Sequence, residues 1–121
     1  MESKRHIYDC DEGCPIESTL QIISGKWKSV IIYHLIKGDA THFGELLRSM
    51  SDCSKRMLAL QLRELEKDGV IDKILIPSLP ATTKYKLTEF GKTLEPIIMT
   101  MEKWGNYYNQ THSENKKEAG T

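Results

Sequence analysis

Apolar residues in the first third of the chain recur at the three- and four-residue spacing of amphipathic helices. The first such pattern runs from Pro15, which suits the first turn of a helix, to the break at Ser24 and Gly25. A second apolar segment spans residues 27–37, and Gly38 is placed to cap its C-terminal end. These patterns predict two helices joined by a short turn.

Two more helices are predicted in the middle of the chain. Thr41 is expected to cap the first of them and Ser54 the second, which ends at Asp68 and Gly69. Their apolar stripes comprise Phe43, Leu46, Leu47 and Met50 in the first helix and Leu58, Leu62 and Leu65 in the second.

A β-hairpin is predicted after these helices. Residues 70–76 are rich in isoleucine, which favours a strand, and residues 82–87 alternate as a returning strand would. The proline-containing segment 77–81 cannot continue strand pairing and is predicted to be the loop. Three of these helices followed by a small antiparallel β-hairpin predict a mainly α fold, the winged helix-turn-helix.

The C-terminal region carries a heptad pattern typical of helices that pack against one another. Thr88 is expected to cap this region, and Pro96 implies either a kink or a new helix start. The apolar positions alternate in spacing between four and three and are Phe90, Leu94, Ile97, Met101, Trp104 and Tyr108. Trp104 and the earlier Trp27 both fall in apolar stripes, so we expect them to be packing anchors.

A chain of 121 residues, 39% hydrophobic and 28% charged, has room for one folded domain. We divide it into an N-terminal arm at residues 1–13, a winged helix-turn-helix domain with dimerisation helices at residues 14–108, and a disordered tail at residues 109–121. No apolar run approaches the roughly 20 residues of a membrane helix. The polar N-terminus does not resemble a signal peptide. A cytoplasmic protein without membrane contact is expected.

Basic residues concentrate in the middle of the chain. Basic and acidic residues balance at 17 each, but residues 26–86 contain 11 basic against seven acidic side chains. The fourth predicted helix has a face away from its buried stripe that carries Ser54, Lys55, Arg56, Ala59, Leu60 and Arg63. Arginine pairs with guanine and small apolar groups contact the thymine methyl, so this face suits the major groove of double-stranded DNA.

An ordinary solvated helix face would have a similar composition, and the predicted hairpin helps to choose between the two interpretations. Lys73, Lys84 and Lys86 lie on or beside that hairpin. In a winged helix these positions contact phosphates or the minor groove. The hairpin lysines therefore favour the DNA-binding interpretation.

Several short motifs occur together in one order and spacing. They are Cys14-Pro15, Gly25-Lys26-Trp27-Lys28, Phe43-Gly44-Glu45-Leu46, Met57-Leu58, Leu62-Arg63-Glu64-Leu65-Glu66, Asp68-Gly69, Tyr85, Leu87-Thr88-Glu89, Gly91 and Trp104-Gly105. From Cys14 to about Tyr108 the chain resembles the HxlR-type family of MarR-like winged helix-turn-helix regulators. Leu60 replaces a frequent glutamine of that family, and Thr82 a frequent basic residue, so the resemblance does not predict the operator sequence.

The resemblance implies a sequence-specific DNA-binding transcription regulator that acts as a homodimer through its terminal helices. Two recognition helices would then address a roughly palindromic operator, with half-sites about 34 Å apart. The resemblance also implies that Cys14 senses oxidants or electrophiles. A small-molecule effector between the dimer helices stays open as an additional partner.

Three cysteines, Cys10, Cys14 and Cys53, do not suggest a disulfide scaffold in a cytoplasmic protein. Cys14 lies at a predicted helix N-terminus, where the helix dipole favours a thiolate, whereas the acidic residues around it oppose ionisation. We expect oxidation or alkylation of Cys14 to move the dimer helices, change the separation of the recognition helices and weaken DNA binding. Either Cys10 or Cys53 is a candidate partner of Cys14.

Other classes of function fit the sequence less well. His6, Cys10 and Cys14 are spaced by four residues, but a tetrahedral zinc site needs a fourth ligand, so no metal is predicted. His34 and His42 have no catalytic constellation around them, and no nucleotide-binding motif occurs, so neither an enzyme nor a cofactor is predicted. The main rival is a winged-helix module that binds protein and not DNA. Loss of salt-sensitive, specific DNA binding would favour that rival.

Overall fold

The computed structural model describes the backbone of residues 5–120 and the side chains of residues 5–113. Its elements are, in chain order, α1 (Cys14–Ile23), α2 (Lys28–Gly38), β1 (Thr41–His42), α3 (Phe43–Ser49), α4 (Lys55–Lys67), β2 (Ile71–Ile76), β3 (Thr82–Leu87), α5 (Glu89–Lys92) and α6 (Glu95–Gly120). This order confirms the mainly α winged helix-turn-helix. Within the described part of the chain, no helix is long and apolar enough to cross a membrane.

The hydrophobic core lies where α2, α3 and α4 meet the base of the sheet. The largest fully buried side chains are Ile31, Ile32, Leu35, Leu46, Leu58, Leu62, Leu65, Val70 and Ile71. Each buried leucine or isoleucine contributes about 1.5–3 kcal/mol relative to an exposed one. The three leucines of α4 confirm the predicted stripe, so the opposite face of α4 is fixed toward solvent.

The sheet has three strands in the order β1-β3-β2, all antiparallel. The sequence predicted only the hairpin of β2 and β3. The two-residue β1 was missed because Thr41 gains strand structure by pairing with Tyr85, which is distant in sequence. Thr41 is therefore not the cap of α3. The cap is His42, whose backbone N–H donates to Glu45 Oε1 at 3.0 Å.

Two helix ends confirm the predicted caps and one corrects them. Ser54 Oγ accepts a hydrogen bond from the Met57 backbone N–H at 3.0 Å at the start of α4. Thr88 Oγ1 accepts one from the Gly91 N–H at 2.9 Å at the start of α5. At the end of α2, Gly38 is the last helical residue and the cap is Asp39, which has a positive φ of 62°.

The C-terminal region restarts at α6 instead of kinking. α5 ends at Lys92, and Pro96 lies in the first turn of α6, where a missing N–H costs no hydrogen bond. α6 then continues to Gly120, so residues 109–120 are helical and not the predicted disordered tail. Lysine, glutamate and alanine near the end of this segment are good helix formers, and no proline interrupts it. Thr121 and residues 1–4 of the arm lie outside the described residues.

Candidate nucleic-acid interface and cysteine pair

The solvent face of α4 carries the side chains that the sequence predicted for DNA contact. Ser54, Lys55, Arg56 and Arg63 are exposed. Ala59 is half-buried and Leu60 is 39% exposed. The structure therefore brings all six predicted α4 positions onto or beside one accessible face.

The three predicted lysines of the β2–β3 hairpin do not share one face. Lys73 pairs with Tyr85, whereas Lys84 pairs with Ile74 and Lys86 with Asp72. Cross-strand partners lie on the same face and neighbours along a strand alternate. Lys73 is therefore on the face of Tyr85, and Lys84 and Lys86 are on the other.

A polar cleft separates the hairpin from the helix-turn-helix. Three cationic side chains line it, namely Arg48 from the end of α3, Lys55 from the first turn of α4 and Lys73 from β2. Sequence reasoning missed Arg48, although its place in the last turn of α3, just before the recognition helix, was a usable signal. In helix-turn-helix proteins the first helix crosses the DNA backbone, so a cation there suits a phosphate.

An ion pair beneath α4 holds it against α2. Lys28 Nζ lies 2.6 Å from Glu64 Oε1, and Lys28 is only 6% exposed. A buried ammonium is costly unless it is paired, so this contact restrains the position of α4. Lys28 entered the sequence analysis only as part of a motif, because the pattern of residues does not show that it faces α4.

The N-terminal arm, residues 5–13 in the structure, folds back along α1 to the far end of α4. The Tyr8 N–H donates to Ser18 Oγ at 3.0 Å, and the His6 N–H to Gln21 Oε1 at 3.3 Å. Arg5 then donates from Nε and Nη2 to the two carboxylate oxygens of Asp68, both at 3.0 Å. This hydrogen bonding to Asp68 raises the pKa of Arg5.

At its other end the arm carries a disulfide bond between Cys10 and Cys14, with Cα atoms 5.1 Å apart. Gly13, with φ 89°, makes the turn that brings Cys10 back to the first residue of α1. Cys53 is buried as a free thiol, and this burial raises its pKa. Of the two candidate partners of Cys14, the structure selects Cys10.

Apolar side chains of α1 and of α6 are left exposed within the described part of the chain. Ile16, Leu20, Ile97 and Met101 are exposed, and Trp104 is 63% exposed. Ile97, Met101 and Trp104 are three of the six heptad positions, whereas Leu94 packs against the core. Trp104 is therefore no packing anchor within its own chain, in contrast to Trp27, which packs against the core.

Three aromatic rings stack along α6 on this surface. The ring centroids of Trp104 and Tyr108 are 5.7 Å apart, and those of Tyr108 and His112 are 4.0 Å apart. Stacking of side chains four residues apart stiffens the exposed part of the helix. The stack gives α6 a flat aromatic face suited to packing.

The metal alternative gains no support from the geometry. Across the part of the chain that the structure describes, no group of three His, Cys, Asp or Glu residues is arranged to hold a metal ion. Cys10 and Cys14 are bonded to each other, and so neither presents a thiolate.

A helix-turn-helix with an exposed basic second helix, followed by a lysine-bearing hairpin, defines a winged helix DNA-binding protein. The sequence model of the HxlR-like helix-turn-helix family matches residues 22–113. The chain belongs to this family, as its motifs indicated.

Among curated relatives, the chain is 48% identical to the HTH-type transcriptional regulator YybR of Bacillus subtilis (strain 168) over 105 residues. That alignment covers 87% of this chain and 83% of YybR. The family and its relatives are transcriptional regulators. This chain is accordingly a helix-turn-helix transcriptional regulator, and not an enzyme.

Solved structures of the redox regulator HypR are also similar. The oxidised form superposes with a TM-score of 0.74 at 47% identity, covering 78% of this chain and 96% of HypR. The reduced form gives 0.75 at 44% identity, covering 84% of this chain and 98% of HypR.

Proposed function

We propose that this regulator binds a roughly palindromic operator as a homodimer in the cytoplasm, and that oxidation of Cys10 and Cys14 changes its affinity for DNA. The observation that carries the DNA part is the exposed basic face of α4 beside a cleft lined by Arg48, Lys55 and Lys73. The rival module that binds protein and not DNA is not favoured, because the family and its relatives are transcriptional regulators.

The two arginines of α4 are assigned to base edges or adjoining phosphates in the major groove. Arg56 lies in the first turn of the helix, which is the part of a recognition helix that reaches base edges, and Arg63 lies two turns later. Ala59 and Leu60 lie between them and suit the methyl group of thymine. Ser54, at the cap, is placed to contact the phosphate backbone.

We assign the polar cleft between the hairpin and the helix-turn-helix to DNA phosphates. Arg48, Lys55 and Lys73 come from three different elements and converge on one polar space. Lys84 and Lys86 lie on the other face of the hairpin, so we assign them a weaker, longer-range attraction to the DNA. This division refines the sequence prediction, which treated the hairpin lysines as one group.

The homodimer is supported by the exposed apolar surface of α1 and α6. Isolated surface leucines are ordinary, but aromatic and aliphatic residues at heptad spacing are typical of a helix that packs against another helix. A second copy placed on Met101, Trp104 and Tyr108 would bury this surface. It would also set two α4 helices at a fixed separation, as a palindromic operator requires.

Redox control is supported by the Cys10–Cys14 bond and by the similarity to HypR, which is named a redox regulator. In the reduced protein the Cys14 thiolate attacks the distal oxygen of a hydroperoxide, forming a sulfenic acid and releasing water or an alcohol. The Cys10 thiolate then attacks the Cys14 sulfur, the S–S bond forms, and the sulfenic oxygen leaves as water. Two thiols are oxidised and one peroxide is reduced.

The experiment that tests the DNA-binding proposal is fluorescence anisotropy with DNA from upstream of the regulator's own gene and with random duplex, at two salt concentrations. We expect nanomolar, salt-sensitive binding that exceeds binding to random duplex by about 10³-fold or more. Arg56→Ala should cost about 1–3 kcal/mol, whereas Lys92→Ala, on α5, should change little. Equal affinity for both duplexes, followed by failure of genome-wide fragment selection to find a preferred site, would reject specific operator binding.

A further inference from the structure

We propose that Arg5 is a positioning residue that links the oxidation state of Cys10 and Cys14 to the recognition helix α4. This inference rests on the redox control proposed above and adds the path by which it reaches DNA. The observation behind it is that one short segment holds the cysteine bond at one end and the Arg5–Asp68 contact at the other.

The N-terminal arm follows α1 between the cysteine bond and Arg5. Between its two ends, the backbone of Tyr8 is hydrogen-bonded to Ser18, and that of His6 to Gln21. These contacts lie one turn apart on α1, so the arm runs antiparallel to that helix. A change in the turn at Cys10 and Cys14 therefore alters how the whole arm lies on α1.

Arg5 connects the arm to the C-terminal end of α4. Asp68 is the C-cap residue of α4, and its side chain is only 2% exposed. Both of its carboxylate oxygens accept hydrogen bonds from Arg5. A bidentate arginine–carboxylate pair has one preferred geometry, so it fixes direction as well as distance. The arm thereby restrains the C-terminal end of α4.

A second ion pair restrains α4 one turn before the arm contact. One turn before Asp68, Glu64 is paired with the buried Lys28 of α2. Two ion pairs thus restrain the recognition helix. The Lys28–Glu64 pair is independent of the cysteines, whereas the Arg5–Asp68 pair belongs to the arm that carries the Cys10–Cys14 bond. Loss of the arm contact therefore leaves α4 folded but removes one restraint from its C-terminal end.

Oxidation of the two cysteines favours docking of the arm on α4. The disulfide closes the turn of residues 10–14 and reduces the number of conformations open to the arm before it docks. The oxidised arm therefore docks on Asp68 more often than the reduced arm. A recognition helix that is already held in place loses less freedom on binding, so the oxidised protein binds DNA more tightly.

This direction differs from the expectation that oxidation weakens binding by separating the recognition helices. Coupling between two sites commonly changes affinity at least about fivefold. We expect operator affinity in the oxidised state to exceed that in the reduced state by a factor of this size or larger. Because the coupling between DNA binding and disulfide formation is reciprocal, bound DNA must stabilise the disulfide by the same factor. A tenfold ratio corresponds to a shift of about 30 mV in the midpoint potential of the cysteine pair.

The test uses the full chain as wild type, Arg5→Gln, Arg5→Lys, Asp68→Asn and the control Lys92→Gln. Lys92 forms an exposed ion pair with Glu89 at 3.3 Å, away from the arm. For each protein, operator affinity is measured in the oxidised and the reduced state, and mass spectrometry of alkylated samples reports the disulfide. Thermal unfolding identifies any variant that loses its fold.

We expect Arg5→Gln and Asp68→Asn to form the disulfide and bring the affinity ratio close to one, with the reduced-state affinity unchanged. Arg5→Lys should restore part of the ratio, and Lys92→Gln should keep all of it. An Arg5→Gln protein that retains the wild-type ratio would overturn the role of Arg5. A wild type that binds its operator with no redox dependence would overturn redox control together with this path, and would leave operator binding intact.

Discussion

Helix α4 buries three leucines in its own chain, whereas α6 buries Ile98 but leaves several apolar and aromatic residues exposed. In α4, Leu58, Leu62 and Leu65 are buried in the core of the same chain, and charged residues face solvent. In α6, the apolar and aromatic residues Met101 and Trp104 face solvent themselves. The apolar face of the first helix is covered by its own chain, whereas the exposed face of the second is the surface we assign to the proposed homodimer. If the homodimer forms as proposed, DNA specificity and dimer assembly depend on different parts of the molecule and can be changed separately.

The largest effect is expected where α4 meets the core. Leu62→Ala should lower the free energy of unfolding by about 2–5 kcal/mol, because it leaves a cavity among fully buried side chains. Leu60→Ala, on the exposed face of the same helix, should cost well under half as much. Urea unfolding followed by circular dichroism measures both. Equal losses for the two variants would contradict the assignment of the faces.

The next effect concerns α6. Trp104→Glu should weaken dimerisation by about 2–4 kcal/mol, because truncated or charged aromatic anchors at the centre of an interface have costs of this size. Asn106→Glu adds the same charge about 200° around the helix and should leave the dimer intact. Sedimentation velocity over a concentration series gives the dimer dissociation constant of each. If Trp104→Glu remained a dimer, the exposed surface would have another role.

A smaller effect is expected at the DNA-binding face. Arg63→Ala should reduce operator affinity by about 1–3 kcal/mol with no change in dimerisation. Lys86→Ala, on the far face of the hairpin, should reduce it by less than Lys73→Ala, which removes a cation from the cleft. Anisotropy titrations at one salt concentration compare the three. A larger loss for Lys86→Ala would show that the hairpin approaches DNA with its other face.

The smallest effect is expected at Cys53. Its thiol is buried and its pKa is raised by that burial, so little reactive thiolate is present at neutral pH. Cys53→Ala should leave the redox dependence of DNA binding unchanged, whereas Cys14→Ser should abolish it. Anisotropy before and after mild peroxide treatment makes the comparison. If Cys53→Ala lost the redox dependence of DNA binding, Cys53 and not Cys10 would be the functional partner of Cys14.

Local patterns were enough to predict the recognition helix. The spacing of Leu58, Leu62 and Leu65 fixes which face of α4 is buried, and Ser54 marks its start. Both signals lie within a few residues of the structure they determine. The prediction of the exposed α4 face followed from the same spacing.

Features set by distant contacts could not be predicted in this way. β1 exists because Thr41 pairs with Tyr85, and the pair of Arg5 with Asp68 joins residues 63 positions apart. The division of the hairpin lysines depends on strand register, which the sequence of Lys73 and its neighbours does not reveal. The Cys10–Cys14 bond was open as one of two pairings, and the turn at residue 13 decides it.

The most direct test of the central claim is the stoichiometry and salt dependence of operator binding. If each of two chains neutralises three phosphates through its cleft, the logarithm of the binding constant should fall with the logarithm of salt concentration at a slope of about −5. Sedimentation of the complex should give two chains per duplex. One chain per duplex, or a slope near −1, would contradict a dimer that uses these cations to bind its operator.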